Sequence, residues 1–372
     1  MKRPYTLTLL GLVVAACGAE PGAVTEDAAL ARSPSCNAYY RLTGAVGAAT
    51  GWCAAGKSFS YDGLEIFYTC MGPVGAPRVY LNHGWPTSSF DFEAIMTDLA
   101  QDHRVCALDT PGYGFSDKPA TGYAYSILKD ADLVAYFLST IMGGGDVALL
   151  THDKGDSVGL ELLHDYLAAR AGGEDPGYHL THHFILNGSI HLDEADLSGL
   201  QLALLDPRTG PPLAQALTGP LMASAVGGAL YTPDLTADEQ AELASVFDYQ
   251  DGTDVLDQTI QYLDERAEYE DTRWLAALAE TDVPTSLVWG ELDTVAVPAV
   301  ADYAWCNALA FGAAPAWYWR LPAGDHYVQH DRPGEVAGIV RSTLAGNPQL
   351  PPSADPDAAY LYARSGEVGF CP

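Results

Sequence analysis

The chain has 372 residues, 48% of them hydrophobic, which is enough to bury a large core in one domain or in a domain carrying a sizeable insertion. With 48 acidic residues against 18 basic ones the formal charge is −30, which argues against nucleic acid or an anionic membrane surface as a partner. Acidity of this kind is expected of a solvated surface in an extracellular or salty setting, where it favours solubility.

At the N-terminus, Lys2 and Arg3 precede an apolar run from Tyr5 to Ala16, which leads into Val14-Ala15-Ala16-Cys17. The run is too short for a dedicated spanning helix. It resembles a bacterial lipoprotein signal peptide over residues 1–17, and the resemblance implies cleavage before Cys17, acylation of its thiol and a mature chain tethered to the membrane. Gly18 after the cysteine implies, by the same resemblance, onward transfer to the outer membrane of the cell envelope. A plain secretory signal cleaved elsewhere is the alternative. Residues 18–34 mix Ala, Gly, Pro and acidic residues without apolar periodicity and are expected to form a flexible tether.

With Cys17 set aside, Cys36, Cys53, Cys70, Cys106, Cys306 and Cys371 remain, an even number that fits three disulfides in an exported chain. The expected pairs are Cys36 with Cys53 by proximity, Cys70 with Cys106 across strands, and Cys306 with Cys371 in the tail. Buried free thiols are the alternative. None of the six has metal-ligand spacing, and no metal or other cofactor is expected.

From Ser58 the residues around Asp62-Gly63 are rich in aromatic and β-branched side chains and predict a hairpin. Apolar strands are predicted at 78–82, 104–109, 146–151, 183–187, 285–290 and 316–321, with helices near 90–101, 125–142, from 154 to about Arg170, 299–310 and 333–345. This alternation predicts an α/β fold with a mostly parallel sheet covered by helices on both faces. It breaks over 193–278, which holds acid-rich helical stretches such as 236–243 but no buried-strand runs, and which is therefore expected to be an inserted helical cap. The core is then 35–192 together with 279–346. The Pro-rich tail, 347–372, is expected to wrap the surface.

The stretch from Leu149 to Leu163 offers two nucleophiles. Gly155-Asp156-Ser157-Val158-Gly159 matches the G-x-S-x-G serine-hydrolase pattern, while Thr151-His152-Asp153-Lys154-Gly155 puts Asp153 on the turn itself. A nucleophile elbow needs a strand before it and a helix after it. The strand ends at Thr151, and Val158, Leu160, Leu162 and Leu163 give the apolar face of a helix starting near Lys154. Asp153 is therefore the expected nucleophile and Ser157 a first-turn helix serine.

Three runs in order, His83-Gly84-Trp85-Pro86-Thr87-Ser88-Ser89, Asp109-Thr110-Pro111-Gly112-Tyr113-Gly114-Phe115-Ser116-Asp117-Lys118-Pro119 and His152-Asp153-Lys154-Gly155, resemble the motifs of the α/β-hydrolase superfamily over about residues 58–345. Within it they resemble the branch with an aspartate nucleophile: epoxide hydrolases, haloalkane dehalogenases and mesoderm-specific transcript proteins. Segments 60–68, 152–156 and 261–266 favour the last group. The resemblance implies an α/β-hydrolase fold with a cap. It also implies Asp293 as the acid rather than Glu291, His326 as the base rather than His330, and backbone N–H groups of Trp85 and Lys154 as the oxyanion hole. Asp325 is read as a turn residue. His83 and Pro86 are read as shaping their loop, and His182, His183 and His191 as strand and loop residues.

A carboxylate attacks without a general base, so Asp153 would form an alkyl-enzyme ester that water activated by His326 then hydrolyses. Haloalkane dehalogenases typically follow the aspartate with Trp, where this chain has Lys154, which counts against dehalogenation. Trp85 stands at the second halide-holding position. Epoxide hydrolases use cap tyrosines as acids, and Tyr262, with Tyr231 as a weaker partner, is the candidate substrate-binding residue here; a core or surface role for either is the alternative. The expectation is an epoxide-hydrolase-like enzyme acting on a small molecule, with a haloalkane dehalogenase as runner-up. A non-catalytic surface or binding lipoprotein on the same scaffold is the rival from another class. Lys154 itself is left with three readings: it lowers the aspartate's pKa, binds a leaving anion, or turns to solvent.

Overall fold

The computed structural model describes Tyr39, residues 47–349, residues 361–369 and Cys371, all within the unit Arg32–Pro372. The expected signal peptide, Cys17, the tether and Cys36 lie outside the described residues. Among those described, no helix is long and apolar enough to cross a membrane.

The strands are β1 (Lys57–Tyr61), β2 (Leu64–Met71), β3 (Arg78–Asn82), β4 (Arg104–Leu108), β5 (Asp146–His152), β6 (His179–Leu186), β7 (Thr285–Gly290), β8 (Ala316–Leu321) and β9 (Leu361–Arg364). They form one sheet among the described residues, in the order β1-β2-β4-β3-β5-β6-β7-β8-β9. Asp62 and Gly63, both at positive φ, close the predicted β1–β2 hairpin. From β4 to β8 every pairing is parallel. These central strands are apolar on both faces, as a sheet covered on both sides requires. Alternate side chains enter two separate apolar clusters. Tyr80, Leu149, Leu287 and Tyr318 join one, and Val79, Leu81, Ala148, Leu150, Val288 and Trp319 join the other.

Two expectations shift. β6 begins at His179, four residues before the predicted start, and the predicted surface tail contributes β9, antiparallel to β8 at the sheet's edge. Disulfides join Cys70 to Cys106 across β2 and β4, and Cys306 to Cys371 beyond β9. Cys53 is also disulfide-bonded.

Between β6 and β7 the chain is helical, from Gly199–Leu205 to Ala276–Glu280. Its helix starts are written in the sequence: Ser198 with Gln201 and Thr236 with Glu239 form capping boxes.

The chain places β3 in the sheet, adds β4 outside it, and then returns to add β5 on β3's other side. The loops after β3 and β5 therefore leave the sheet in different directions, and the crevice between them is where open α/β sheets bind ligands. Asp153 and the His83–Trp85 segment occupy that crevice.

Candidate active site

Asp153 follows β5 with φ 53° and ψ −118°, and the helix Lys154–Gly172 begins at the next residue. A non-glycine residue in such a conformation costs about 1–3 kcal/mol and persists only where its surroundings impose it. Here a parallel strand pair holds one side and a nineteen-residue helix the other. The neighbouring loop presses close. A Cβ on Gly84 would lie 2.4 Å from the Cβ of Asp153, and one on Gly155 would lie 2.3 Å from the Asn82 carbonyl oxygen, so neither position accepts a side chain.

That approach delivers the Trp85 backbone N–H to Asp153 Oδ2 at 2.7 Å. The Lys154 amide remains an expectation, since Trp85 supplies the backbone hydrogen bond that the structure gives this carboxylate. His83 is structural, as expected. Its Nδ1 donates to the Gly84 carbonyl at 2.9 Å and its Nε2 accepts the Thr110 N–H at 3.1 Å, while burial pushes its pKa down to about 3.

His326 and Asp293 come from the loops after β8 and β7. The His326 Nδ1 donates to Asp293 Oδ2 at 2.8 Å, and its Nε2 stands 4.0 Å from Asp153 Oδ1, too far for a hydrogen bond. Burial alone would lower the imidazole's pKa. Asp293, and then Asp153, more than reverse this and carry it up to about 9. Burial likewise tends to raise Asp293. The charge of His326 and hydrogen bonds from His326, Asn187 and the Val295 amide hold it below the ordinary carboxylate value.

Asn187 is a site residue that the sequence reading missed. It follows directly on β6 at φ 41°, its Nδ2 donates to Asp293 Oδ2 at 2.8 Å, and its Oδ1 accepts the Gly290 N–H at 2.9 Å. The available signal was Asn187-Gly188 at the end of a strand, on the same sheet edge as the other three residues. Glu291 stands 4.0 Å from the Arg320 guanidinium, and His330 packs edge-on against Tyr231. Asp325 is buried rather than a solvated turn residue: it accepts the His326 N–H at 2.8 Å and the Thr232 hydroxyl at 3.0 Å, tying the loop that carries His326 to the helical segment.

Of the three readings left open for Lys154, one is excluded. Lys154 does not turn to solvent. Its ammonium forms a buried ion pair with Asp130 and lies 4.8 Å from the Tyr113 ring centroid. The Trp85 indole Nε1 donates to Thr259 of the helical segment at 3.2 Å. Ser157 is wholly buried within the helix, and its Oγ accepts from Arg266 Nε at 2.9 Å.

The two candidate tyrosines also part company. Tyr262 is buried with its pKa raised well above 10, first by burial and then by the charge of Asp153. Tyr231 stacks flat on Tyr327 at 4.3 Å and meets His330 edge-on at 4.8 Å, so it buttresses the residue beside His326. Burial and then the neighbouring Asp91, Tyr327, Asp331 and Glu239 raise the Tyr231 pKa well above its ordinary value. The buried histidines of β6 bond within the sheet, His182 to Ser286 at 2.8 Å and His183 to Thr151 at 3.0 Å, while His191 stacks on Tyr303 at 4.0 Å.

The family model for the alpha/beta hydrolase fold matches residues 77–333. The mesoderm-specific transcript protein of Mus musculus is 35% identical over 250 residues, 66% of this chain and 73% of that protein. The hydrolase LipZ of Mycobacterium tuberculosis is 34% identical over 275 residues, 73% of this chain and 90% of that protein. The crystal structure of haloalkane dehalogenase DbeA from Bradyrhizobium elkani superposes with a TM-score of 0.64 at 22% identity, covering 78% of this chain and 97% of that one, a likeness of fold. With a family model spanning most of the chain and relatives similar over most of their own length, this protein belongs to the α/β-hydrolase fold family, alongside mesoderm-specific transcript proteins.

Proposed function

We propose that the protein is an epoxide-hydrolase-like enzyme that works through a covalent ester on Asp153. The observation that carries this reading is a carboxylate on a strained elbow with one oxygen, Oδ2, held by the Trp85 amide and the other, Oδ1, facing an imidazole paired to Asp293. Oδ1 is the oxygen that attacks an electrophilic carbon. Oδ2 then becomes the ester carbonyl oxygen and carries the negative charge when water adds, with its donor already in place. While Asp153 is ionised, its charge helps keep His326 protonated. Esterification removes that charge, the imidazole releases its proton more readily, and the neutral ring can take a proton from water. The resting enzyme thus holds its base in reserve until the ester exists.

Tyr262 is the proposed acid for the departing oxygen, buried and within the electrostatic reach of Asp153. Tyr231 is proposed to hold the wall behind His326 instead of touching substrate. The dehalogenase reading is disfavoured because both groups that would receive a halide are engaged, the Trp85 indole with Thr259 and the Lys154 ammonium with Asp130. The test is turnover of an aryl epoxide in heavy-oxygen water followed by peptide mass analysis. Label entering the Asp153 carboxylate is the expected result, and active turnover without it would overturn the ester mechanism.

Export and attachment through Cys17 are part of the proposal. Disulfides within the core favour an oxidising compartment. Labelling of the expressed protein with a palmitate analogue, lost in Cys17→Ser, is the expected outcome.

A further inference from the structure

Arg266 lies four residues after Tyr262 in the helix Tyr262–Tyr269, so the two side chains share a face. Its guanidinium is wholly buried, with its carbon 4.9 Å from the centroid of the Tyr262 ring. Nε donates to Ser157 Oγ, while Nη1 and Nη2 make no hydrogen bond of good geometry among the described residues and have the Tyr262 hydroxyl as the polar group on which they act. Burying a cation with two of its nitrogens so poorly paired is costly, and such a group calls for an explanation beyond packing. A leucine or methionine would fill the space without that cost.

The charges around the pair indicate what the cation does. Tyr262 is faced by Asp153 from the elbow, by Tyr113 from the loop after β4 and by Arg266 from its own helix. Arg266 is faced by Asp156 on the first turn after the nucleophile and by Glu270 one turn on along its own segment. Burial and Asp153 both oppose ionisation of the Tyr262 phenol, and Arg266 is the cation set against them.

We infer that Arg266, held in place by the Ser157 hydroxyl, is the positioning residue that enables Tyr262 to give up its proton. The inference rests on the reading of Tyr262 as the acid. Asp153 Oδ1 bonds to the epoxide carbon, the carbon–oxygen bond breaks, and its electron pair goes to the oxygen, which takes the Tyr262 proton. The phenolate left behind is stabilised by the guanidinium over its ring. The proton that His326 must then shed restores the phenol through solvent. When water adds to the ester carbonyl carbon, His326 takes one of its protons, the bond from that carbon to Oδ1 breaks, and the departing diol keeps that oxygen and takes the other proton, which leaves Asp153 a carboxylate carrying the water's oxygen. On this account the serine of the G-x-S-x-G pattern acts one step removed, as the anchor of a cap arginine.

The test places 3,5-difluorotyrosine at position 262 by codon suppression and follows its fluorine resonance against pH, a readout independent of turnover. Arg266→Gln is expected to raise the titration midpoint by about one unit or more, and Arg266→Lys, which keeps a charge without the planar fork, by less. Ser157→Ala is expected to shift it in the same direction by a smaller amount, and serves if Arg266→Gln does not fold. An unchanged midpoint in the folded variants overturns the inference. With an aryl epoxide, Arg266→Gln should lower kcat about tenfold with little change in KM, and should cost nothing further in a Tyr262→Phe background. If Tyr262→Phe keeps full kcat, the acid role fails while a shifted midpoint still stands for the link. If Tyr262→Phe is slow and the midpoint does not move, the link fails and the acid role stands.

Discussion

The strand-end edge of the core and the helical segment that lies over it handle their polar groups in opposite ways. On the core side Asp293 is saturated: His326 and Asn187 donate to one oxygen, and the Val295 and Ala296 amides to the other. On the helical side Arg266 is buried with two nitrogens that make no hydrogen bond of good geometry among the described residues. A saturated group is fixed by its neighbours, whereas an unsaturated one is held at a cost and acts through its charge. The machinery proposed for hydrolysis is therefore built into the sheet, while the side chains proposed to tune it to a substrate stand on the helical segment between β6 and β7.

The strongest way to break this contrast is at the elbow. Asp153→Ala should lower turnover by about four to six orders of magnitude with the fold intact by circular dichroism, while Ser157→Ala should cost less than about tenfold. The reverse pattern would make the serine the nucleophile. Next comes Asp293→Asn, expected to slow turnover by about four orders of magnitude. It should also drop the His326 pKa from about 9, because the carboxylate beside the ring is its chief support, and imidazole resonances followed against pH would show it.

The buried pair beside the elbow tests stability rather than chemistry. Lys154→Met leaves the Asp130 carboxylate buried without its cation and should destabilise the protein by about 3–5 kcal/mol in denaturant unfolding. Adding Asp130→Leu should recover most of that loss. The smallest expected effect is a pH dependence of stability. The folded His326 pKa, about 9, exceeds its ordinary value of 6.5, so its contribution is complete below pH 6.5 and disappears as pH rises through about 9. Melting temperatures measured across that window should decline, and His326→Gln should flatten the decline.

Much of this was legible in the chain because the signals are local. The elbow could be located from the end of an apolar strand and the phase of the helix after it, whereas Asp293 and His326 were reached only through the family resemblance. Asn187 escaped because its role depends on β6 lying beside β7, which periodicity does not state. The partner of Lys154 sits 24 residues earlier on another helix, and the partner of Ser157 is 109 residues later in the helical segment between β6 and β7, so neither pairing leaves a trace in spacing. β9 was missed for a related reason, since four residues after a Pro-rich stretch become a strand only because β8 offers an edge.

That last strand has a consequence for how the molecule behaves in company. The outer edge of β8 would otherwise display free amide and carbonyl groups to any neighbouring chain with a strand to lend. Its own C-terminal segment occupies the position, from Trp317 opposite Arg364 to Arg320 opposite Leu361, and the Cys306–Cys371 bond fastens the chain just beyond. Opening that disulfide, by Cys371→Ser rather than by a reductant that would also reach Cys70–Cys106, should first be felt as self-association at high concentration.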